Sequence, residues 1–115
     1  MVQGANDCDD VAASAEGPVQ RNVTIYADGA ADRCPCGSGT AASGALLEAY
    51  GRLGTGQSLR HHSIVGTTFI APVAEHRTAG GYDAVIPEVD GMAYRTGERM
   101  FVLDGGQPGT GFVLR

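Results

Sequence analysis

The chain has 115 residues, a formal net charge of −5, 43% hydrophobic residues and 18 glycines, enough for one small domain that buries about two-thirds of its unfolded surface. The apolar share excludes general disorder. The acidic balance, with eight scattered arginines as its basic residues, argues against nucleic acid, and no run approaches the roughly 18 apolar residues of a membrane span.

Glycine at roughly twice its usual 7% predicts tight turns and short strands. The opening lacks the basic and apolar regions of a secretory signal. A cytoplasmic setting with free thiols is therefore expected, since three cysteines cannot all pair within one chain.

Residues 1–18 are acidic, small and aperiodic, with Cys8 among Asp7, Asp9 and Asp10. They read as a poorly ordered arm ahead of a domain over 19–115. The run RNVTIYADG, starting at Arg21, is rich in β-branched and aromatic residues and closes on Asp28-Gly29, which predicts a strand and turn. From Ser38 to Leu53 only Gly44 interrupts a helical pattern, and Ala42, Leu46, Ala49 and Leu53 recur at helical spacing. That line is expected to face the core. Ala41 and Ala45 add apolar surface and only Glu48 and Arg52 are charged, so the helix is expected to be enclosed on most sides. Gly51 and Gly54 offer it a stop.

Beyond the helix, SLRHHSIV, TTFIAPVAE, YDAVIPEV, GMAYRTG and RMFVLDGG read as strands of an antiparallel sheet, with VDGMAY and RTGER as hairpins. The fold class expected is α+β, with antiparallel strands wrapped around one central helix. His61, His62 and His76 read as strand or surface residues rather than acid–base groups. Glu88 and Asp90 read as solvated groups beside a turn.

Cys34 and Cys36 admit several readings. A zinc site normally needs four ligands with paired spacing, which Cys34, Cys36, the remote Cys8 and the adjacent His61 and His62 do not supply. No metal is expected. The CxC spacing, stiffened by Pro35, suits a redox disulfide poorly. Both can simply be small buried residues. Cys36 nevertheless stands where a strand and turn hand over to a helix, followed by Gly37-Ser38-Gly39-Thr40. Unpaired N–H groups and the helix dipole at such a point favour negative charge and acidify a thiol. The same N–H groups suit a carboxylate or phosphate. Together a thiolate and an anion cradle point to removal of a proton next to a carboxylate.

The run DRCPCGSGTAA, from Asp32 to Ala42, resembles the second cysteine motif of the proline racemase family, which includes 4-hydroxyproline epimerases. The resemblance continues through ALLEAYGRLGTGQ, HHSIVGTTF, AVIPEVDGMAYRTG and FVLDGGQPGTGF, in the family's order, and covers most of the chain from about Arg21 onward. It implies part of a fold similar to diaminopimelate epimerase, in which two pseudo-symmetric halves, each a strand-rich barrel around a helix, hold the substrate between them. It also implies a cofactor-independent racemase or epimerase of a small imino acid, working by two-base α-proton exchange. On this resemblance Cys36 is the acid–base residue of the second half, Asp32 receives the substrate's amino group, and the N–H groups of Gly37 and Ser38 receive its carboxylate.

Three departures accompany it. Cys34 stands where relatives more often carry serine, and Ala71 replaces a glycine usual after the phenylalanine. The first half, with its own cysteine or serine beside a Gly-His-Gly turn, has no counterpart in these residues. The expectation is therefore a C-terminal portion, inactive alone, that needs a matching N-terminal half or a homodimer partner. The competing expectation is a non-catalytic remnant or binding module. Family dehydratases acting on 3-hydroxyproline carry threonine where Cys36 stands, so the cysteine favours epimerisation.

Overall fold

The computed structural model describes residues 3–5, 11–25 and 29–106. Its elements are β1 (Gln3–Ala5), β2 (Val11–Ser14), β3 (Gly17–Arg21), β4 (Val23–Ile25), α1 (Gly37–Ala49), β5 (Ser58–His62), β6 (Thr68–Ala79) and β7 (Tyr82–Pro87). Five strands form one sheet in the order β2-β3-β5-β6-β7, and β1 pairs with β4 in a second, two-stranded sheet. The fold is thus mixed α+β. Within the segment read as an arm, residues 1–18, lie β1, β2 and the start of β3. Cys8 lies outside the described residues.

The sheet is not the purely antiparallel one expected. β5 pairs antiparallel with β6, as β6 does with β7, but β3 and β5 run parallel, with Val19 opposite Arg60 and Arg21 opposite His62. A parallel pair needs a long crossover, and β4, the motif loop and α1 make it. The β6–β7 hairpin turns on Gly80 and Gly81, both at positive φ, as a two-residue turn matched to strand twist requires.

GMAYRTG and RMFVLDGG do not form the strands expected, nor do VDGMAY and RTGER form hairpins: residues 91–103 have no regular structure. A strand forms only where a second one completes its ladder. Asp90 finds such a partner briefly, exchanging both backbone bonds with Ile70 at 2.9–3.0 Å. The residues after it do not, and Met92, Tyr94, Met100, Phe101, Val102 and Leu103 are exposed.

α1 also departs from expectation. It ends at Ala49, and Gly51 at positive φ closes it by donating to the Glu48 carbonyl at 2.8 Å while the Arg52 N–H reaches the Leu47 carbonyl at 2.7 Å. This is the six-to-one closure that a glycine past the helix end permits. The buried face is Thr40, Ser43, Gly44 and Leu47, whereas Ala42, Leu46 and Ala49 are exposed. Among the described residues α1 packs chiefly against β6 and β7, and the side carrying Ala42, Leu46 and Ala49 is exposed. Its residues are small nearly all round, so apolar contrast alone does not select a face. Polar bonds at Thr40 draw the other one inward.

The fully buried apolar cluster among the described residues is Leu47, Leu53, Leu59 and Ala71, with Val73 packed against it. Polar side chains share the interior: Gln20, Asn22, Thr24, Thr40, Ser43, His61 and Ser63 are all buried. No helix among the described residues is long and apolar enough to cross a membrane.

Candidate active site

The segment from Asp32 to Cys36 links β4 to α1 and is held by its carbonyls. Thr67, from the turn between β5 and β6, donates its hydroxyl to the Arg33 carbonyl at 2.8 Å. Asn22, between β3 and β4, donates its side-chain amide to the Pro35 carbonyl at 2.7 Å. Thr40, in the first turn of α1, donates both its N–H, at 2.9 Å, and its hydroxyl, at 2.8 Å, to the Cys36 carbonyl. The Asp32 N–H bonds the Thr24 carbonyl at 2.8 Å and the Asp32 carboxylate accepts the Cys34 N–H at 3.0 Å. The buried Pro35 carbonyl needs such a partner, and Asn22, 13 residues earlier, provides it.

Cys36 is the residue immediately before α1 and has φ 66° and ψ 119°. Among the described residues it is the only non-glycine at positive φ. That conformation costs a side-chain-bearing residue roughly 1–3 kcal/mol and persists only where the surroundings enforce it. It sets the thiol among donors at the helix start. The Ser38 hydroxyl, 3.4 Å from Sγ, is the main group holding the Cys36 thiol below its ordinary range. The Gly39 N–H, the Thr24 hydroxyl and the Ser38 N–H act in the same sense, and partial burial opposes them. Donors to the thiolate favour the charged form.

Cys34 is tuned the other way. Burial pushes its thiol up, the Asp32 carboxylate adds to this, and the Cys36 N–H, donating to Cys34 Sγ at 3.4 Å, partly offsets it. Two cysteines two residues apart are therefore tuned in opposite directions, Cys36 toward the thiolate and Cys34 toward the thiol.

Of the residues expected to bind substrate, Asp32 lines an open cleft of about 470 Å³ shared with Cys34, Thr67, Phe69, Met92 and Tyr94. Cys36, Gly37 and Ser38 stand outside that lining, at the start of α1, where Gly37 and Ser38 are exposed. The Asp32–Cys34–Cys36 hydrogen bonds connect the two groups. The imidazoles have other partners: His61 Nδ1 lies 2.9 Å from Thr40 Oγ1, His62 Nδ1 lies 2.7 Å from Thr68 Oγ1, and His76 Nε2 lies 2.8 Å from Glu48 Oε1. Among the described residues no three metal-ligating side chains converge. Sequence reasoning missed Asn22, Thr24, Thr40 and His61. Only Thr40 carried a local signal, since a threonine four residues after a helix start can bond back to that carbonyl.

The proline racemase family model matches residues 5–113. The chain is similar to the proline racemase of Clostridioides difficile, at 41% identity over 96 residues that cover 83% of this chain and 29% of that protein. It is similar to the 4-hydroxyproline 2-epimerase of Paracoccus denitrificans, at 44% identity over 84 residues, covering 73% of this chain and 25% of that protein. Among solved structures, the probable proline racemase from Agrobacterium radiobacter, with bound carbonate, superposes with a TM-score of 0.67 at 31% identity. It covers 84% of this chain and 28% of that one. The chain thus spans less than a third of the length of the relatives it matches.

Proposed function

Because the chain belongs to the proline racemase family, we propose that it forms one acid–base wall of a racemase or epimerase acting on proline or 4-hydroxyproline. The observation that carries this reading is the Cys36 thiol, set at the start of α1 and held below its ordinary range by the Ser38 hydroxyl and the donors around it. A base that is deprotonated near neutrality is what α-proton abstraction requires.

In the proposed step the Cys36 thiolate takes the α-proton: the substrate C–H bond breaks, an S–H bond forms, and the electron pair moves into the substrate carboxylate. The exposed N–H groups of Gly37 and Ser38 stabilise the charge developing there, while the Asp32 carboxylate holds the substrate's ammonium. A second acid–base residue, on a polypeptide matching the other part of the family's length, then protonates the opposite face. Each group in this exchange is a protein side chain or backbone N–H, supplied by this chain or by that second polypeptide. The chain accordingly forms part of one diaminopimelate-epimerase-like half and needs its counterpart for turnover.

The test mixes the chain with the first half of a full-length relative and follows α-hydrogen exchange of L- and D-proline and 4-hydroxyproline in heavy water by NMR. The relative's own two halves, produced separately, serve as the complementation control. Exchange in the mixture that disappears with Cys36→Ser is expected. No exchange where the control complements would replace this reading with that of a non-catalytic binding module.

A further inference from the structure

The mechanism leaves unused a buried imidazole one hydroxyl away from the catalytic backbone. His61 lies on β5, the central strand of the five, opposite Gln20 of β3 and Phe69 of β6, with 1% of its surface exposed. Its Nδ1 is 2.9 Å from the hydroxyl of the fully buried Thr40, and that hydroxyl is 2.8 Å from the Cys36 carbonyl oxygen. A hydroxyl has one hydrogen, and a carbonyl can only accept. Thr40 therefore donates to Cys36 and accepts from His61, which assigns the imidazole as the Nδ1–H tautomer. Burial, with the neighbouring His62, lowers the pKa of His61 and so favours its neutral form.

From this relay we infer that Thr40 and His61 are positioning residues: they anchor the Cys36 carbonyl to the sheet and thereby hold Cys36 at the positive φ that aims its thiol at the donors of α1. The inference rests on Cys36 being the activated base. The geometry gives the relay a specific task, because the stabilising contacts from Ser38, Gly39 and Thr24 are directional. They are lost if the Cys36 backbone relaxes to negative φ. The Thr40 N–H bond to the same carbonyl, at 2.9 Å, is an ordinary first-turn helix bond. The side-chain bond fixes the carbonyl's direction, and His61 fixes the side chain.

The test measures alkylation of Cys36 by iodoacetamide against pH, resolved from Cys34 by tandem mass spectrometry, on the full chain and on variants in pairs. Thr40→Val and His61→Phe remove the relay. Thr40→Ser keeps the hydroxyl, and His61→Asn keeps a donor near the position of Nδ1. Rates in urea give the unfolded reference. The first pair is expected to lose about three- to tenfold in Cys36 labelling at pH 7, as a thiol returning to its ordinary range would. The second pair should stay within about twofold of the parent. A Thr40→Val chain with the parent's profile, or a Thr40→Ser chain that falls as far as Thr40→Val, overturns the positioning role alone. A parent in which Cys36 reacts as in urea overturns both this inference and the catalytic reading beneath it.

Discussion

Replacing Ser38 by alanine isolates the group that most strongly pulls the Cys36 thiol down. The hydroxyl lies 3.4 Å from Sγ in an exposed position. A hydrogen bond to a charged group contributes about 1.5–3 kcal/mol, but water replaces part of it at an exposed site, leaving about 1 kcal/mol. Since about 1.4 kcal/mol is a factor of ten, the ionisation constant of the Cys36 thiol should fall about fivefold. The sign follows from the chemistry: donors to the thiolate lower the thiol's titration, so loss of one moves it upward. Iodoacetamide labelling from pH 5 to 10 measures this, with Cys34 in the same molecule as an internal standard. The alanine chain should need a higher pH for half-maximal labelling and reach a plateau at least as high, because a more basic thiolate is intrinsically more nucleophilic. An unchanged midpoint with a lowered plateau would refute the reasoning, since it would make Ser38 a matter of access rather than charge.

Other outcomes follow from the same coordinates. In the parent at neutral pH, Cys36 should be alkylated before Cys34, because donors lower the first thiol while burial and Asp32 raise the second; peptide mapping reads the order. In the complemented enzyme, Cys36→Ser should reduce α-proton exchange by about 100- to 10,000-fold and largely spare binding of a proline-like carboxylate, whereas Asp32→Ala should weaken that binding too, as calorimetry can show. Gly17→Ala should abolish cooperative thermal unfolding: a Cβ there would lie 2.3 Å from the Ser58 carbonyl oxygen, at φ +128°, a backbone clash and strain of about 3 kcal/mol or more. Acidification should also weaken the fold. Burial pushes the His61 imidazole down, so below about pH 6.5 the unfolded chain binds a proton that the folded one does not, and stability falls with pH. The urea midpoint should be lower at pH 5.5 than at 7.5, with the difference reduced in His61→Asn.

What the sequence disclosed, and what it withheld, divides by range. The helix start at Cys36 and Gly37 was legible because glycine, serine and alanine succeed one another there with a turn before them. The strands β6 and β7 were legible from their β-branched residues and the glycines near them, whereas β5, SLRHH, has no β-branched residue and was read only with the Ile64 and Val65 that follow it. The face of α1 was not. Ala42 and Leu46 look like core residues, yet Thr40 is buried in their stead because its hydroxyl meets His61, 21 positions later. Nothing near Thr40 announces that partner. The parallel pairing of β3 with β5 was equally hidden, since register between strands separated by a helix is a tertiary fact. Residues 91–103 show the converse: their composition suits a strand, but composition does not supply the neighbour that a strand requires. Of the proposed site, Cys36 was singled out by its place before the helix and Asp32 by resemblance, whereas Asn22, Thr67 and His61, which hold that segment, lie far from it in sequence.

The pinning of three carbonyls by Asn22, Thr40 and Thr67 makes the cysteine motif non-portable. Cut out as a peptide from Gly29 to Leu53, the motif would keep its glycines, its thiols and much of its helical tendency, but two of those three anchors would be left behind. Thr40 would remain but without His61 to orient its hydroxyl, so Cys36 would relax more readily toward the negative φ that side-chain-bearing residues prefer. Grafting DRCPCGSGT onto another scaffold would therefore transplant the letters without the reactivity, unless an amide donor for Pro35, a hydroxyl donor for Arg33 and an imidazole N–H for Thr40 travelled with it.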